Sequence, residues 1–200
     1  MDDKATTIDM IRHGEPQGGT RFRGYLDHPL SELGWQQMQD AVAGYHGWDL
    51  VCSSPLKRCS EFAKKLSYER NIPLQIVEQF KEVSFGDWQG KTYEEVEQVT
   101  PGAVDRFFAD PVENQIPNSE DFDVFNARVH EAFTKLIADN DGKRVLLVGH
   151  GAVIRSALNL MLDLPMNNIF RIEVQFASIT TIRVERSEAG LKYFLVAHGS

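Results

Sequence analysis

Arg144-Val145-Leu146-Leu147-Val148-Gly149-His150-Gly151 decides the fold. Its four central residues form a short unbroken apolar run, the pattern of a strand buried on both faces. Two glycines frame a histidine at its end, and a helix is expected from Ala152 to Leu162. Working outward, two other segments repeat this hand-over. Thr6 to Ile11 reads as a strand that runs into Arg12-His13-Gly14. Asp49 to Cys52 reads as a short buried strand before a helix with Ser54 as N-cap and Pro55 at its first position. Ser31 is expected to cap a helix reaching about His46. Leu74 to Val77 reads as a further strand, and Thr92-Tyr93-Glu94-Glu95 as a capping box opening a short helix. Another helix is expected from Thr100-Pro101. A longer one opens at Ser119 or Asp121, with Phe122, Phe125, Val129, Phe133 and Leu136 on one face. Two closing strands, Ser178 to Arg186 and Leu191 to Ala197, form a hairpin. Strands alternating with helices imply an α/β sheet covered on both faces, and the hairpin makes that sheet mixed.

The 200 residues suit a single domain spanning 1–200 with a modest insertion. No apolar run reaches the roughly 18 residues that a membrane helix needs. The formal charge of −8 argues against partners such as nucleic acid or anionic membrane. Met1-Asp2-Asp3-Lys4 is acidic with no apolar core behind it, unlike a secretory signal. With two cysteines, a reducing cytoplasmic setting is expected. The expected partner is a small-molecule substrate, and the chain is expected to be a monomer or a homodimer.

Ligands of open α/β sheets sit beyond the carboxyl ends of strands. His13, the loop before Arg58, and His150 are therefore expected to share one crevice. A neutral histidine held in one tautomer is a competent nucleophile. Phosphoryl transfer asks a protein chiefly for positioning and positive charge, and arginine grips two oxygens at once. Arg12 and Arg58 could supply that charge, although Arg58 could equally be a solvated helix-surface residue. Gly151 opens a helix whose amides favour an anion. Glu82 is one of several carboxylic acids that could protonate a leaving alkoxide, with Glu78, Asp87, Glu94 and Glu95 as competitors.

Five blocks in order now carry a resemblance. They are Arg12-His13-Gly14-Glu15; Gly24 to Gly34; Ser53-Ser54-Pro55-Leu56-Lys57-Arg58; Phe85-Gly86-Asp87-Trp88-Gln89-Gly90; and Val148-Gly149-His150-Gly151-Ala152-Val153-Ile154-Arg155. Together they resemble the histidine phosphatase, or phosphoglycerate-mutase-like, superfamily over most of the chain. The resemblance implies a three-layer α/β/α sandwich with an inserted lid, here about residues 80–120. It implies that His13 takes a phosphoryl group, that Arg12, Arg58 and His150 hold it, and that Glu82 exchanges the proton. No metal or cofactor is implied. The Glu82 to Gly90 segment resembles the α-ribazole-5′-phosphate phosphatase branch, which serves cobalamin assembly. Sugar, nucleotide or phosphoglycerate chemistry is the alternative, and a catalytically inactive phospholigand-binding relative a further one. Two stretches depart from the family pattern: Pro16-Gln17-Gly18-Gly19-Thr20, where Thr20 could replace a missing phosphate contact, and Pro117-Asn118-Ser119-Glu120-Asp121.

Phe22, Tyr25, Phe85 and Trp88 lie on loops near these residues and could wall a substrate pocket with Arg23 and Gly24. Phe107 and Phe108 read as core. Arg23 and Arg155 could add charge to the crevice or serve as ordinary ion-pair partners. Cys52 to Arg58 has the Cys-x5-Arg spacing of cysteine-dependent phosphatases, but Pro55 removes an amide which that loop needs, so Cys52 reads as a buried strand residue. His28, His46, His130 and His198 lack ligand-like spacing.

Overall fold

A computed structural model describes residues 5–200; the Met1–Lys4 segment read for an export signal lies outside them. β1 (Thr6–Arg12), β2 (Leu50–Ser53), β3 (Leu74–Ile76) and β4 (Arg144–Gly149) run parallel, and β5 (Ile179–Ser187) and β6 (Gly190–His198) close the sheet as an antiparallel hairpin. The strand order is β3-β2-β4-β1-β5-β6.

Alternate residues of β4 face opposite layers, as the two-residue period of a strand requires. Val145 and Leu147 join the core under α5 (Phe122–Asp139) and α6 (Gly151–Leu162), whereas Leu146 and Val148 join the core under α1 (Glu32–Ala43) and α2 (Lys57–Arg70). The result is an α/β/α sandwich. The 80–120 segment adds α3 (Tyr93–Val99) and α4 (Ala103–Ala109) on the α5/α6 side.

Helix starts follow local chemistry, with two corrections. The side chain of Ser31 caps α1, Thr92 and Glu95 form the capping box of α3, and Asp121 rather than Ser119 caps α5. Ser54 and Pro55, expected to open α2, lie outside it: the helix begins at Lys57, whose N–H donates to Asp27 Oδ1 at 2.6 Å. The Ser54 hydroxyl accepts the Leu56 N–H at 3.3 Å just ahead of the helix and also meets a second partner. α4 likewise starts later than Pro101, after Gly102 at φ 73°, where Glu97 accepts N–H bonds from Gly102 and Val104. α1 stops at Ala43, short of His46, and Arg70 donates to the carbonyls of Val42 and Tyr45 there.

Candidate active site

Parallel register builds the site. Arg12 pairs with Gly149 and Ser53 with Val148, so the residues just past three strand ends meet. The His13 and His150 rings lie 5.2 Å apart at 67°. Close backbone approach holds the His13 loop: a Cβ on Gly14 would stand 2.2 Å from Gly34 O, and one on Gly34 would stand 2.0 Å from Glu15 O. This contact explains Gly34 as well as Gly14, since neither position tolerates a side chain.

His13 is 5% exposed, and its Nδ1–H donates to Gly14 O at 2.8 Å. Because a carbonyl can only accept, the proton sits on Nδ1 and Nε2 carries a lone pair. Burial first, then the charges of Arg58 and Arg12, hold the ring well below the usual histidine pKa, which keeps it neutral. His150 is fully buried behind it, 2.7 Å from Ser54 Oγ through Nε2. Burial and Arg58 also push its pKa well down.

Three guanidinium groups converge on the cavity. Arg58, 1% exposed, spends its fork on Leu26 O and Gly24 O, each at 2.9 Å. Arg12 donates from Nη1 to Val174 O at 2.6 Å and lies 4.1 Å over the Phe176 ring; burial lowers its pKa to about 10, opposed by Glu82. Arg23 ties down the unusual Pro16 to Thr20 stretch through the carbonyls of Pro16, Gln17 and Gly19. Its pKa also falls to about 10 through burial. In all three the Nε–H is buried without a partner. Buried donors are rarely left unpaired, and three residues carrying such donors line one cavity, an arrangement that suits an anionic ligand.

Glu82 is 9% exposed, lines the cavity, and accepts Val83 N–H at 3.0 Å on Oε1. Arg128 fixes its backbone. Its guanidinium donates to the carbonyls of Gln79, Lys81 and Glu82, and it pairs with Glu120 at 2.7 Å. Arg128 escaped the sequence reading because a single arginine on a helix gives no sign of which loop it reaches.

The cavity is lined by His13, Arg12, Arg58 and Glu82, together with Thr20, Phe22, Arg23, Gly24, Phe85 and Gly151. Three residues expected in the pocket are elsewhere, the first being His150, which is fully buried behind His13 and does not line the cavity. Tyr25 turns its hydroxyl to Glu120 Oε2 at 3.3 Å and is 40% exposed. Trp88 packs 4.9 Å from Phe22 and 5.5 Å from Phe107, within an aromatic cluster. The pairing of Phe107 and Phe108 as core divides: Phe107 is buried, but Phe108 reaches the cavity wall. Arg21, Tyr93, Arg155, Phe170 and Phe176 also line the cavity. Of these, Phe170 and Phe176 belong to a 3-10 turn (Met166–Arg171) and the loop after it, which carry no periodic signal.

Cys52 is fully buried on β2, away from the cavity lining, and burial pushes its thiol up to about 12. A nucleophilic cysteine needs a lowered pKa and access. Cys52→Ser is therefore expected to keep phosphatase turnover within about threefold of the parent, since a buried strand position touches activity only through packing. Near-total loss with an unchanged melting temperature would restore the cysteine reading. Among the described residues, no cluster of three or more His, Cys, Asp or Glu is arranged to hold a metal ion. No described helix is long and apolar enough to cross a membrane.

The histidine phosphatase superfamily (branch 1) model matches residues 8–195. A glucosyl-3-phosphoglycerate phosphatase of Mycobacterium tuberculosis is 31% identical over 177 residues, 82% of this chain and 79% of that protein. The adenosylcobalamin/α-ribazole phosphatase of Escherichia coli K12 is 27% identical over 188 residues, 92% of each chain. Among solved structures, the native mycobacterial glucosyl-3-phosphoglycerate phosphatase superposes with a TM-score of 0.87 at 26% identity, covering 98% of this chain and 99% of that one. With a family match that runs from β1 into β6, the chain belongs to the histidine phosphatase superfamily, branch 1.

Proposed function

We propose that this chain hydrolyses phosphomonoesters in two steps through a phosphohistidine at His13, without a metal ion. The observation that carries the reading is the His13 ring, its proton fixed on Nδ1 by Gly14 O, in a cavity where three buried guanidinium Nε–H groups lack partners. Nε2 attacks phosphorus as the bond to the leaving oxygen breaks. Arg12, Arg58 and Arg23 offset the charge on the equatorial oxygens, and His150, fully buried behind His13, supports that ring without lining the cavity. Glu82 in its acid form gives its proton to the leaving oxygen. Water then attacks the phosphohistidine, passes its proton to the Glu82 carboxylate, and inorganic phosphate leaves with His13 restored.

Two readings of the alcohol half have support. The aromatic wall of Phe22, Phe85, Tyr93, Phe108, Phe170 and Phe176 suits stacking on a base or ring. With the likeness to the E. coli α-ribazole phosphatase, it favours α-ribazole 5′-phosphate and a role in cobalamin biosynthesis. The number of arginines in the same cavity favours a sugar or glycerate phosphate instead, in keeping with the mycobacterial relative. Phosphate release across α-ribazole phosphate, sugar phosphates, phosphoglycerates and nucleotides, all in EDTA, separates them. A hundredfold preference for α-ribazole phosphate supports the first reading, and a preference for another class replaces it. No release above a His13→Ala control, even from p-nitrophenyl phosphate at mildly acidic pH, overturns the reaction and leaves a binding protein.

A further inference from the structure

Arg128, on α5, commits all five of its N–H groups, the whole donor set of a guanidinium. Nε and Nη2 donate to Glu120 Oε1 and Oε2 at 2.7 and 2.8 Å, a bidentate pair. Nη1 donates to Gln79 O at 2.5 Å and to Lys81 O at 2.9 Å, and Nη2 to Glu82 O at 3.2 Å. Three carbonyls of one short stretch thus converge on one planar group. The cavity arginines are built differently: Arg12, Arg23 and Arg58 each keep an unpartnered Nε–H, and Arg128 is not among the residues lining the cavity.

The gripped stretch has little else to fix it. Lys81 to Phe85 belong to no helix or strand, so no regular ladder holds the backbone that carries Glu82. Glu120 holds its far side. Oε2 of Glu120 accepts the Ser84 N–H at 3.3 Å, and the Glu120 N–H donates to Ser84 O at 3.1 Å. The same Oε2 accepts the Tyr25 hydroxyl at 3.3 Å. Tyr25 follows Gly24, whose carbonyl accepts from Arg58, and a Cβ on Gly24 would stand 2.9 Å from both Val83 O and Phe85 N. The loop of the acid and the turn gripped by Arg58 therefore meet around one ion pair. Proton transfer needs the acid within hydrogen-bond reach of the leaving oxygen, and a misplacement of about 1 Å costs on the order of 100-fold.

We infer that the Arg128–Glu120 pair is a positioning unit for the proton donor: it sets where the Glu82 carboxyl stands relative to the phosphate held beside Arg58. Neither residue of the pair lines the cavity. The inference rests on the phosphatase reading, with Glu82 as its acid, and adds the element that aims that acid. Lysine cannot reproduce the arrangement, because donors on one nitrogen do not span a carboxylate and three carbonyls.

The test compares kcat/KM for 2-glycerophosphate, whose leaving alkoxide needs a proton, with that for p-nitrophenyl phosphate, whose leaving group does not. Arg128→Gln is expected to lower the first by about 30-fold or more and the second by less than about threefold. Arg128→Lys and Glu120→Gln are milder changes and should show the same bias at smaller size; they decide the matter if Arg128→Gln does not fold. In a Glu82→Gln background, Arg128→Gln should add less than about threefold for 2-glycerophosphate, since both changes act through one acid. Equal losses for the two esters, or losses that multiply in the double variant, would make the pair an ordinary packing element and overturn the inference. So would parent-level turnover of 2-glycerophosphate in a folded Arg128→Gln enzyme. Failure of the phosphatase reading looks different: the parent would leave p-nitrophenyl phosphate intact and His13 unlabelled.

Discussion

His13→Ala is expected to lower kcat for p-nitrophenyl phosphate by about 10,000-fold or more, because no other group in the cavity can form the covalent intermediate. The size follows from the arrangement. Nδ1 is committed to Gly14 O, the ring is kept neutral by burial and two arginines, and His150 is fully buried, with its Nε2 facing Ser54. Alanine leaves the arginine cluster in place, so phosphate should still bind and KM should change far less than kcat. Melting temperature should also change little, since His13 lies beyond the end of β1 rather than within a core layer. The direct readout is a quench with a phosphorus-labelled ester. The parent enzyme should carry an acid-labile, base-stable label at His13, and the variant none. Parent-level turnover in the variant would end the phosphohistidine scheme.

The depressed histidine pKa also gives the pH dependence a sign. A group whose folded pKa lies below its unfolded value contributes stability that is present at higher pH and lost as pH falls through the folded value. For His13 and His150 that loss begins near the usual histidine value, where the unfolded chain takes up protons, and continues down to the lowered folded values. Both rings therefore stay neutral in mild acid, where an enzyme that also needs an acid group benefits.

The fold was legible where one physical signal dominated. Val145 to Val148 read as a buried strand, and its alternation between two cores is what a parallel sheet under helices demands. His13, His150 and Arg58 were legible as a group because parallel strands end together. Contacts set by tertiary reach were not legible. Ser54 looked like a helix cap, but Asp27, thirty residues upstream of Lys57, takes the first helical N–H, while Ser54 accepts from Leu56 before the helix and meets His150. Tyr25 and Trp88 were near the site in sequence, but a carboxylate and an aromatic cluster drew them elsewhere. Phe170 and Phe176 come from a stretch without period, so only the folded chain brings them to the cavity.

Glu82→Gln separates proton transfer from phosphate binding. Glutamine keeps the shape and an oxygen able to accept the Val83 N–H, but it has no acidic proton to give. For an alkyl phosphate, whose leaving alkoxide is strongly basic, kcat/KM is expected to fall by about 100- to 10,000-fold. For p-nitrophenyl phosphate, whose leaving group departs unprotonated, the fall should stay below about tenfold. The comparison belongs on kcat/KM because that ratio covers only the steps up to phosphoryl transfer. The second step then gives an independent sign. Water attack loses its base, so the variant should release one equivalent of nitrophenol quickly, turn over slowly afterwards, and accumulate label on His13. Removing the carboxylate also strips Arg12 of the charge that opposes its burial, so phosphate should bind no more weakly than in the parent. Equal losses in kcat/KM for both esters, without a burst, would place the acid elsewhere in the cavity. Parent-level turnover of the alkyl ester would remove Glu82 from the chemistry altogether.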